Sequence, residues 1–477
     1  MNVLILGGGI SGVSAAKVVL KEGHRAIILE STPELGGTMA RIANCRIGFK
    51  TFFDEIKDDP NLQVIRGASV TAAQRKADAF TVTLSDGNEV EAHRVIVAAG
   101  LSPYDPVEYK GKRVLTSLEY DARIDQKSGE LPEDFNKIGF FLCVGSRSKE
   151  YPLCSSVCCS YTIREVKWTL QRAKPEIAVF YNDLRLFGQE FYLEKVYRDA
   201  GVRFVRANSR YFEEDEEGVT VRYFVDGVLR EERFNYIVLA IGLRPNPGLK
   251  DLSALFGFSL NEYGFVAEED PLVTDAQGVF ACGGALEPMN IKDSIMTGFG
   301  AGVLAVKDAD LLAAAARDEG LLRDEGPPEI TMPDGDFGSC VFYLGTADAG
   351  DAMFYEYMSA RFIEAARTLK EAGKTVYIVT KNTVMPSYDE VTFEKARREG
   401  VIIINLEEGE VFSASEGSFR LSGPGRDLTL TADRAISFGD YADRFKGREF
   451  LSVYRSEPQL RWNPTRWSRK KYHIGFL

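Results

Sequence analysis

Four cysteines, Cys143, Cys154, Cys158 and Cys159, fall within the run FLCVGSRSKEYPLCSSVCCSY and make up more than half of the seven in the chain. Four thiolates that converge can hold an iron–sulfur cluster, which tolerates varied ligand spacing. Zinc is served less well, because it favours CxxC pairs and two of these cysteines are adjacent. A labile disulfide, or a set of buried inert thiols, are the other readings of the same run. Cys143 ends an apolar strand, Ile138 to Val144, and Cys154 follows a short loop. Cys158 and Cys159 open a helix that continues through Trp168 and Leu170. If that helix begins early, Cys154 and Cys158 share one of its faces.

A second group of residues suits a nucleotide. The strand Val3 to Leu6 runs into Gly7-Gly8-Gly9-Ile10-Ser11-Gly12 and then a helical pattern, Val13 to Leu20. Gly7 allows the tight turn, Gly9 lets a pyrophosphate approach the backbone, and Gly12 lets helix and strand pack closely. The helix N-terminus then offers free N–H groups to the phosphates. Arg25 to Leu29 makes a second strand ending at Glu30, where an acid holds ribose hydroxyls. Three further stretches resemble those of two-dinucleotide-binding-domain flavoproteins and favour FAD over NAD. They are Gly36-Gly37-Thr38-Met39, the crossover Val95 to Ala99 with Gly100, and the closing run Gly278 to Gly283 with Gly284. Gly284 stands where that closing motif usually has an aspartate. The helix from about Ile291, with Lys292 and Asp293, would aim its N-terminus at the flavin pyrimidine ring. Val70, in an expected strand Gly67 to Thr71, would be the backbone contact to adenine.

The elements that must position these residues form an α/β fold. A chain of 477 residues suggests two or three domains. We expect a two-dinucleotide-binding-domain, thioredoxin reductase-like flavoprotein with an additional C-terminal α/β domain. The FAD-binding domain is expected at 1–104 and 271–315, interrupted by an insert at 105–270. In such proteins the insert carries a second glycine-rich loop for nicotinamide. Here that loop, Gly145-Ser146-Arg147-Ser148, has one glycine, so nicotinamide binding in the insert is not expected and the cysteines occupy its slot. The strand Tyr236 to Gly242 closes the insert. Net charge of −12 argues against a general nucleic-acid binder. No stretch is long and apolar enough to span a membrane. The N-terminus lacks the basic start and cleavage site of a signal peptide. Clustered cysteines, odd in number, suit a reducing cytoplasm better than a disulfide framework.

The flavin motif, CVGSR…CSSVCCSYTIR, VFYNDLRLFGQEFY…AGVRFVRA (Tyr181, Asp183, Arg185, Tyr192) and ACGGALEPMNIKDSI (Pro288, Ile291) together resemble the A-type subunits of heterodisulfide reductases over about residues 1 to 315. The resemblance to this family implies FAD, and a 4Fe–4S cluster on Cys143, Cys154, Cys158 and Cys159 beside the flavin. It implies an electron-transfer subunit working with other iron–sulfur and heterodisulfide reductase-like subunits, in some members by flavin-based electron bifurcation. Related complexes add a membrane-bound quinone-reactive subunit. This chain lacks the ferredoxin-type CxxCxxC inserts of larger members, so the rest of a relay would lie on partners. Arg164 stands where the family pattern CC-x4-Lys has a lysine. An arginine keeps the charge but cannot donate a proton at neutral pH. Arg164 and Lys292 are the candidates for positive charge favouring reduced flavin. A stand-alone FAD oxidoreductase acting on a quinone, sulfide or thiol is the alternative, with a reactive thiol at Cys45 or within the cysteine run; Cys45 also reads as a packed thiol. A dithiol is not available there, because Lys50 occupies the partner position. A third reading is a non-catalytic assembly subunit with vestigial cofactors. Cys282 and Cys340 read as structural.

A charged, Pro/Gly-rich linker is expected at 316–337. Residues 338–445 then read as a degenerate copy of the cysteine domain, offset by about 200 positions. Cys340 to Thr346 echoes Phe141 to Ser146, with Tyr343 on Cys143 and residues near Met358 and Ser359 on Cys158 and Cys159. The copy keeps no ligand and no glycine loop, so a binding or scaffolding role is expected. The tail, 446–477, is basic and aromatic. Its Trp462, Arg466, Trp467, Arg469, Lys470 and Lys471 suit docking to a partner or an anionic surface.

Overall fold

Five parallel strands form the first sheet, in the spatial order Val279–Ala281, Arg94–Val97, Asn2–Leu6, Arg25–Glu30, Leu62–Arg66. The inner strands are runs of Val, Ile and Leu because the sheet is buried, with the antiparallel strands Val70–Lys76, Ala79–Leu84 and Glu89–Ala92 sharing its core. In this computed structural model residues 1–307 and 330–441 are described, apart from 44, 77, 110, 125–133, 187–189, 191–192, 208–209, 226, 346–351, 382, 384, 386–387, 408, 416 and 440. The first helix, Ile10–Lys21, lies against the closing helix, Ile291–Val306. Glycines permit the close approach. A Cβ on Gly298 would stand 2.3 Å from the Ser11 carbonyl oxygen, and one on Gly302 would stand 2.8 Å from that of Ala15. Nothing in the sequence pattern singles out these two glycines. The strand expected at Gly67 to Thr71 instead begins at Val70, because Gly67 takes a left-handed turn at φ 67°.

Two short strands, Leu101–Pro103 and Leu243–Pro245, pair antiparallel where the chain leaves and re-enters the first domain. Between them the insert builds a parallel sheet in the order Arg203–Arg206, Glu176–Tyr181, Lys137–Val144, Tyr236–Ile241, Val114–Thr116. An antiparallel sheet of Arg210–Glu214, Val219–Val225 and Val228–Phe234 covers one side. The expected insert boundary at 270 lies beyond the point where the cores divide. Leu249, Phe256, Phe258 and Val266 are buried in the first core. The Phe256 ring meets Phe80 at 5.9 Å, edge to face.

The C-terminal domain repeats the insert's plan. Its parallel sheet runs Ile402–Asn405, Thr375–Thr380, Ser339–Gly345, Arg434–Ser437, matching four insert strands in order. A three-stranded antiparallel sheet, Val411–Ser415, Ser418–Ser422 and Asp427–Thr431, again precedes the last parallel strand. In both units the register shifts near the end of the first strand, between Phe141 and Val144 and between Tyr343 and Gly345. Both then turn on a left-handed glycine, Gly145 at φ 75° and Gly345 at φ 65°. Where the insert has Cys143, Tyr343 stacks on Phe412 with ring centroids 4.0 Å apart. The latter part of the expected linker is not free of the fold. Phe337 is buried, and the Tyr441 hydroxyl accepts from the Thr331 N–H at 3.1 Å. Tyr192, Thr346, the linker residues 316–329 and the whole tail with Trp462, Arg466, Trp467, Arg469, Lys470 and Lys471 lie outside the described residues. Among the described residues no helix is long and apolar enough to cross a membrane.

The helix contact generates a stability prediction. The Gly298→Ala Cβ meets backbone, which cannot rotate away, so the variant should lose about 1–3 kcal/mol by thermal or denaturant unfolding.

Candidate functional site

A cavity of about 870 Å³ opens along the edge of the first sheet. Every glycine-rich stretch contributes to its wall: Gly7, Gly9, Ile10 and Ser11; Gly36, Gly37, Thr38 and Met39; Ala99 and Gly100; and Gly284. Glu30, Val70, Ile291, Lys292 and Arg164 also face it. Gly12 and Gly283 stand behind the wall. A Cβ on Gly12 would lie 2.0 Å from the Gly7 carbonyl oxygen, and one on Gly283 2.4 Å from Ser11 Oγ. Gly9 differs in kind, because a Cβ there would meet nothing within 4 Å. It leaves the first helix N-terminus open for a ligand to approach, as a dinucleotide pyrophosphate requires. The Glu30 carboxylate accepts from the N–H groups of Gly8 and Thr32, both at 2.9 Å, and from Thr32 Oγ1. These bonds fix it at the end of its strand. At Gly284 a side chain has no room, since a Cβ would come within 2.4 Å of Leu101. On the far side Asn290 caps the closing helix by accepting from the Asp293 N–H at 3.0 Å. The size and the exposed N–H groups fit a dinucleotide. Asn246, which donates from its side chain to the Ala99 carbonyl at 2.7 Å, also lines the cavity, and no sequence motif marks it.

The four cysteines meet in a smaller pocket, with Arg147, Asp183 and Arg185. Cys154, Cys158 and Cys159 are buried and Cys143 is half-buried. The backbone is bent to bring them together. Cys143, Arg147 and Ser156 all adopt left-handed φ values of 63°, 54° and 64°, a conformation that costs energy outside glycine. The register shift between Phe141 and Val144 coincides with Cys143 and re-aims its side chain. The cysteine helix spans Cys158–Arg172. The expectation of a shared helix face for Cys154 and Cys158 is therefore not met, because Ser156 breaks the helix and Cys154 sits in the preceding loop. Burial pushes the Cys158 and Cys159 thiols up, and the neighbouring cysteines push in the same direction. Among the described residues no three Cys, His, Asp or Glu side chains are set to grip one metal ion. The four thiols line one small pocket, the donor set that a multi-iron cluster takes. Backbone N–H groups already point at two sulfurs, Ser156 at Cys154 (3.4 Å) and Arg185 at Cys159 (3.3 Å).

Charge is concentrated beside this pocket. Arg147 pairs with Asp183 at 2.6 Å and with Glu390 at 2.9 Å, and Arg185 also pairs with Glu390. Arg206 reaches Asp183 at 3.2 Å. The arginines hold the Asp183 carboxyl below the usual range despite its burial. Glu390 belongs to the C-terminal domain and is fully buried. That domain also supplies the Met385 carbonyl to the Arg185 guanidinium, 200 residues away in sequence. Tyr388 accepts from the Asn261 side chain at 2.7 Å and packs against Tyr263 and Phe265. In the sequence Arg147 and Arg185 stand out by their places in the SRS loop and the Asp-x-Arg segment, whereas nothing local marks Glu390.

The pocket and the large cavity share a wall, Ser156 and Val157. Ser156 Oγ donates to the Pro288 carbonyl at 3.1 Å, and Ser155 Oγ accepts from the Leu243 N–H at 2.9 Å. The cysteine loop is thereby tied to both the closing segment and the strand Leu243–Pro245. Arg164 reaches the cavity but is paired with Glu190 at 2.8 Å, so part of its charge is offset. Lys292 is exposed at the cavity edge. Cys45 also lines the cavity, and burial raises its thiol above the ordinary range. Cys282 and Cys340 are buried and pushed up to about 12. Glu165, on the cysteine helix, carries no signal in the sequence. It is fully buried, and among the described residues neither of its carboxylate oxygens has a hydrogen-bond partner. Burial together with nearby Asp121 raises its carboxyl far above the usual range.

The first sheet, its glycine turn and the half-closed cavity define a nucleotide-binding fold of flavoprotein type. Residues 1–123 match the family model of the pyridine nucleotide-disulphide oxidoreductases. Over about half its length the chain is similar to curated A-type subunits of heterodisulfide reductases. The A-type subunit of the H(2):CoB-CoM heterodisulfide,ferredoxin reductase of Methanothermobacter marburgensis is 30% identical over 248 residues, 46% of this chain and 37% of that protein. The second A-type iron-sulfur subunit of the CoB–CoM heterodisulfide reductase of Methanopyrus kandleri is 29% identical over 280 residues, 53% of this chain and 42% of that protein. The chain thus spans less than half the length of these relatives in the match. Among solved structures, the thioredoxin reductase of T. acidophilum aligns over 64% of this chain and 96% of its own, with 18% identity and a TM-score of 0.47.

Two outcomes follow from this geometry. Gly9→Ala should leave the cofactor-free protein's unfolding within about 0.5 kcal/mol of wild type while sharply reducing bound flavin, read by absorbance after refolding with FAD. The folded Glu165 carboxyl stays protonated where the unfolded one, near pH 4.3, ionises. Folding therefore takes up a proton, and stability falls as pH rises above that value. Glu165→Gln should flatten this decline between about pH 5 and 8, measured by urea unfolding across pH.

Proposed function

We propose that the chain is an FAD and 4Fe–4S electron-transfer subunit of a multi-subunit, heterodisulfide reductase-like oxidoreductase complex. The observation that carries the reading is the shared wall at Ser156 and Val157 between the nucleotide cavity and the four-cysteine pocket. FAD would be held by the Gly7–Gly12 turn, Glu30, Gly36, Gly37, Ala99, Gly100 and the closing-helix N-terminus. The cluster would be held by Cys143, Cys154, Cys158 and Cys159. Bound there, FAD supplies two-electron chemistry and the cluster one-electron transfer, which suits a converter between the two kinds of carrier.

This chain's residues would do the rest. The glycine turn and Glu30 orient the nucleotide, and the buried cysteine loop excludes water from the sulfurs. The donor and acceptor would be partner iron–sulfur subunits, because the sequence carries no ferredoxin-type CxxCxxC motif of its own. None of the seven cysteines forms a disulfide, which suits a reducing compartment and so a cytoplasmic setting. Arg164 in place of a proton-donating lysine weighs against bifurcation. A second reading, a stand-alone oxidoreductase acting on a quinone, sulfide or thiol, is favoured by one observation, Cys45 on the cavity wall. It requires turnover by the isolated chain that is lost in Cys45→Ser.

Anaerobic purification should yield FAD with iron and sulfide at about 4 of each per chain, the count a 4Fe–4S cluster on four thiolates demands, and an EPR signal on reduction. Cys158→Ser should abolish that signal and keep FAD bound. Flavin without iron in the wild-type protein would sink the relay reading.

A further inference from the structure

The C-terminal domain, which has Tyr343 where the insert has Cys143, is seated on the cysteine pocket. Resting on the cluster reading above, we infer that the C-terminal domain tunes the reduction potential of the cluster held by Cys143, Cys154, Cys158 and Cys159, acting through Glu390 on Arg147 and Arg185.

A cubane bound by four thiolates is an anion in each of its working oxidation states. Its potential follows net charge, hydrogen bonds to sulfur and solvent exposure. The charge lever lies in the contact with the C-terminal domain. Arg147 and Arg185 line the cysteine pocket and are buried. Among the described residues Arg147 Nη1 and Arg185 Nε have no hydrogen-bond acceptor, so each has a donor to spare for an anionic occupant. Glu390 pairs with both guanidiniums, Asp183 with Arg147, and the Met385 carbonyl accepts from Arg185. Arg147 and Arg185, which line the pocket, share the carboxylates of Asp183 and Glu390. Glu390, from the far domain, therefore sets how much of the guanidinium charge the cluster would feel. The contact is buried, since Glu390 is fully buried and Tyr388 packs on Tyr263 and Phe265. Glu390 and the arginines are positioning residues, because the sulfurs and irons carry the electron.

The test is an EPR-monitored redox titration of the full chain with its cluster, comparing wild type, Glu390→Gln and Arg185→Gln at matched iron content. Removing the carboxylate charge should move the midpoint potential positive, and removing the guanidinium should move it negative. Arg185→Lys, which keeps the charge, should return it toward wild type. Midpoints indistinguishable from wild type in both Gln variants, with iron retained, overturn the inference and leave the relay reading intact. Should a variant lose its iron, the wild-type protein decides. With arginine labelled by ¹⁵N in the guanidinium alone, pulsed EPR of the reduced cluster should detect arginine nitrogen coupled through hydrogen bonds to sulfur. Absence of that coupling overturns the inference too. A wild-type protein without any cluster signal overturns both proposals.

Discussion

Several thiols packed out of water within reach of one another cannot all ionise unless positive charge stands beside them. That constraint organises the region around the cysteines. Burial and mutual repulsion hold Cys158 and Cys159 in their protonated form in the bare protein, and ligation would require the protons to leave. Arg147 and Arg185 supply the compensating charge, yet two buried guanidiniums are themselves intolerable without carboxylates. Asp183 and Glu390 answer that need. One of the two comes from a domain some 200 residues further on. Tertiary structure far from the cysteines is therefore a condition of the site's electrostatics.

The neighbouring cavity depends on a different constraint, the closeness of two helices. The first and closing helices approach over Gly298 and Gly302, and this brings two helix N-termini to one opening. The cysteine loop is bound to the closing segment by Ser156 and to the strand Leu243–Pro245 by Ser155. Pocket and cavity are in this way tied together at that wall.

Much of this was legible in the sequence, for reasons that differ by element. The parallel strands were legible because burial on both faces leaves unbroken apolar runs. The glycine turns were legible because a left-handed backbone or a close approach leaves few other choices, as at Gly7 with φ 121°. The repeat was legible from spacing, and the two sheets share their strand order. Other features were hidden. The helix break at Ser156 depends on a left-handed non-glycine residue that no propensity favours. The division of cores near residue 245 follows from where Phe256 finds Phe80, a contact between distant segments. Glu390 looks like any acidic residue at the start of a surface helix, and only the folded chain shows it buried against two arginines. Glu165 likewise reads as a polar position on an amphipathic helix, and its burial is a tertiary fact.

The bond from the Arg185 guanidinium to the Met385 carbonyl joins positions 200 residues apart. The chain carries two α/β units of like strand order on one polypeptide, meeting beside the cysteine pocket. Being covalently joined, its halves meet at an effective concentration no separate protomer would reach at cellular levels. The two units need not be alike: one carries the four cysteines, and the other lends Glu390 to the arginines beside them.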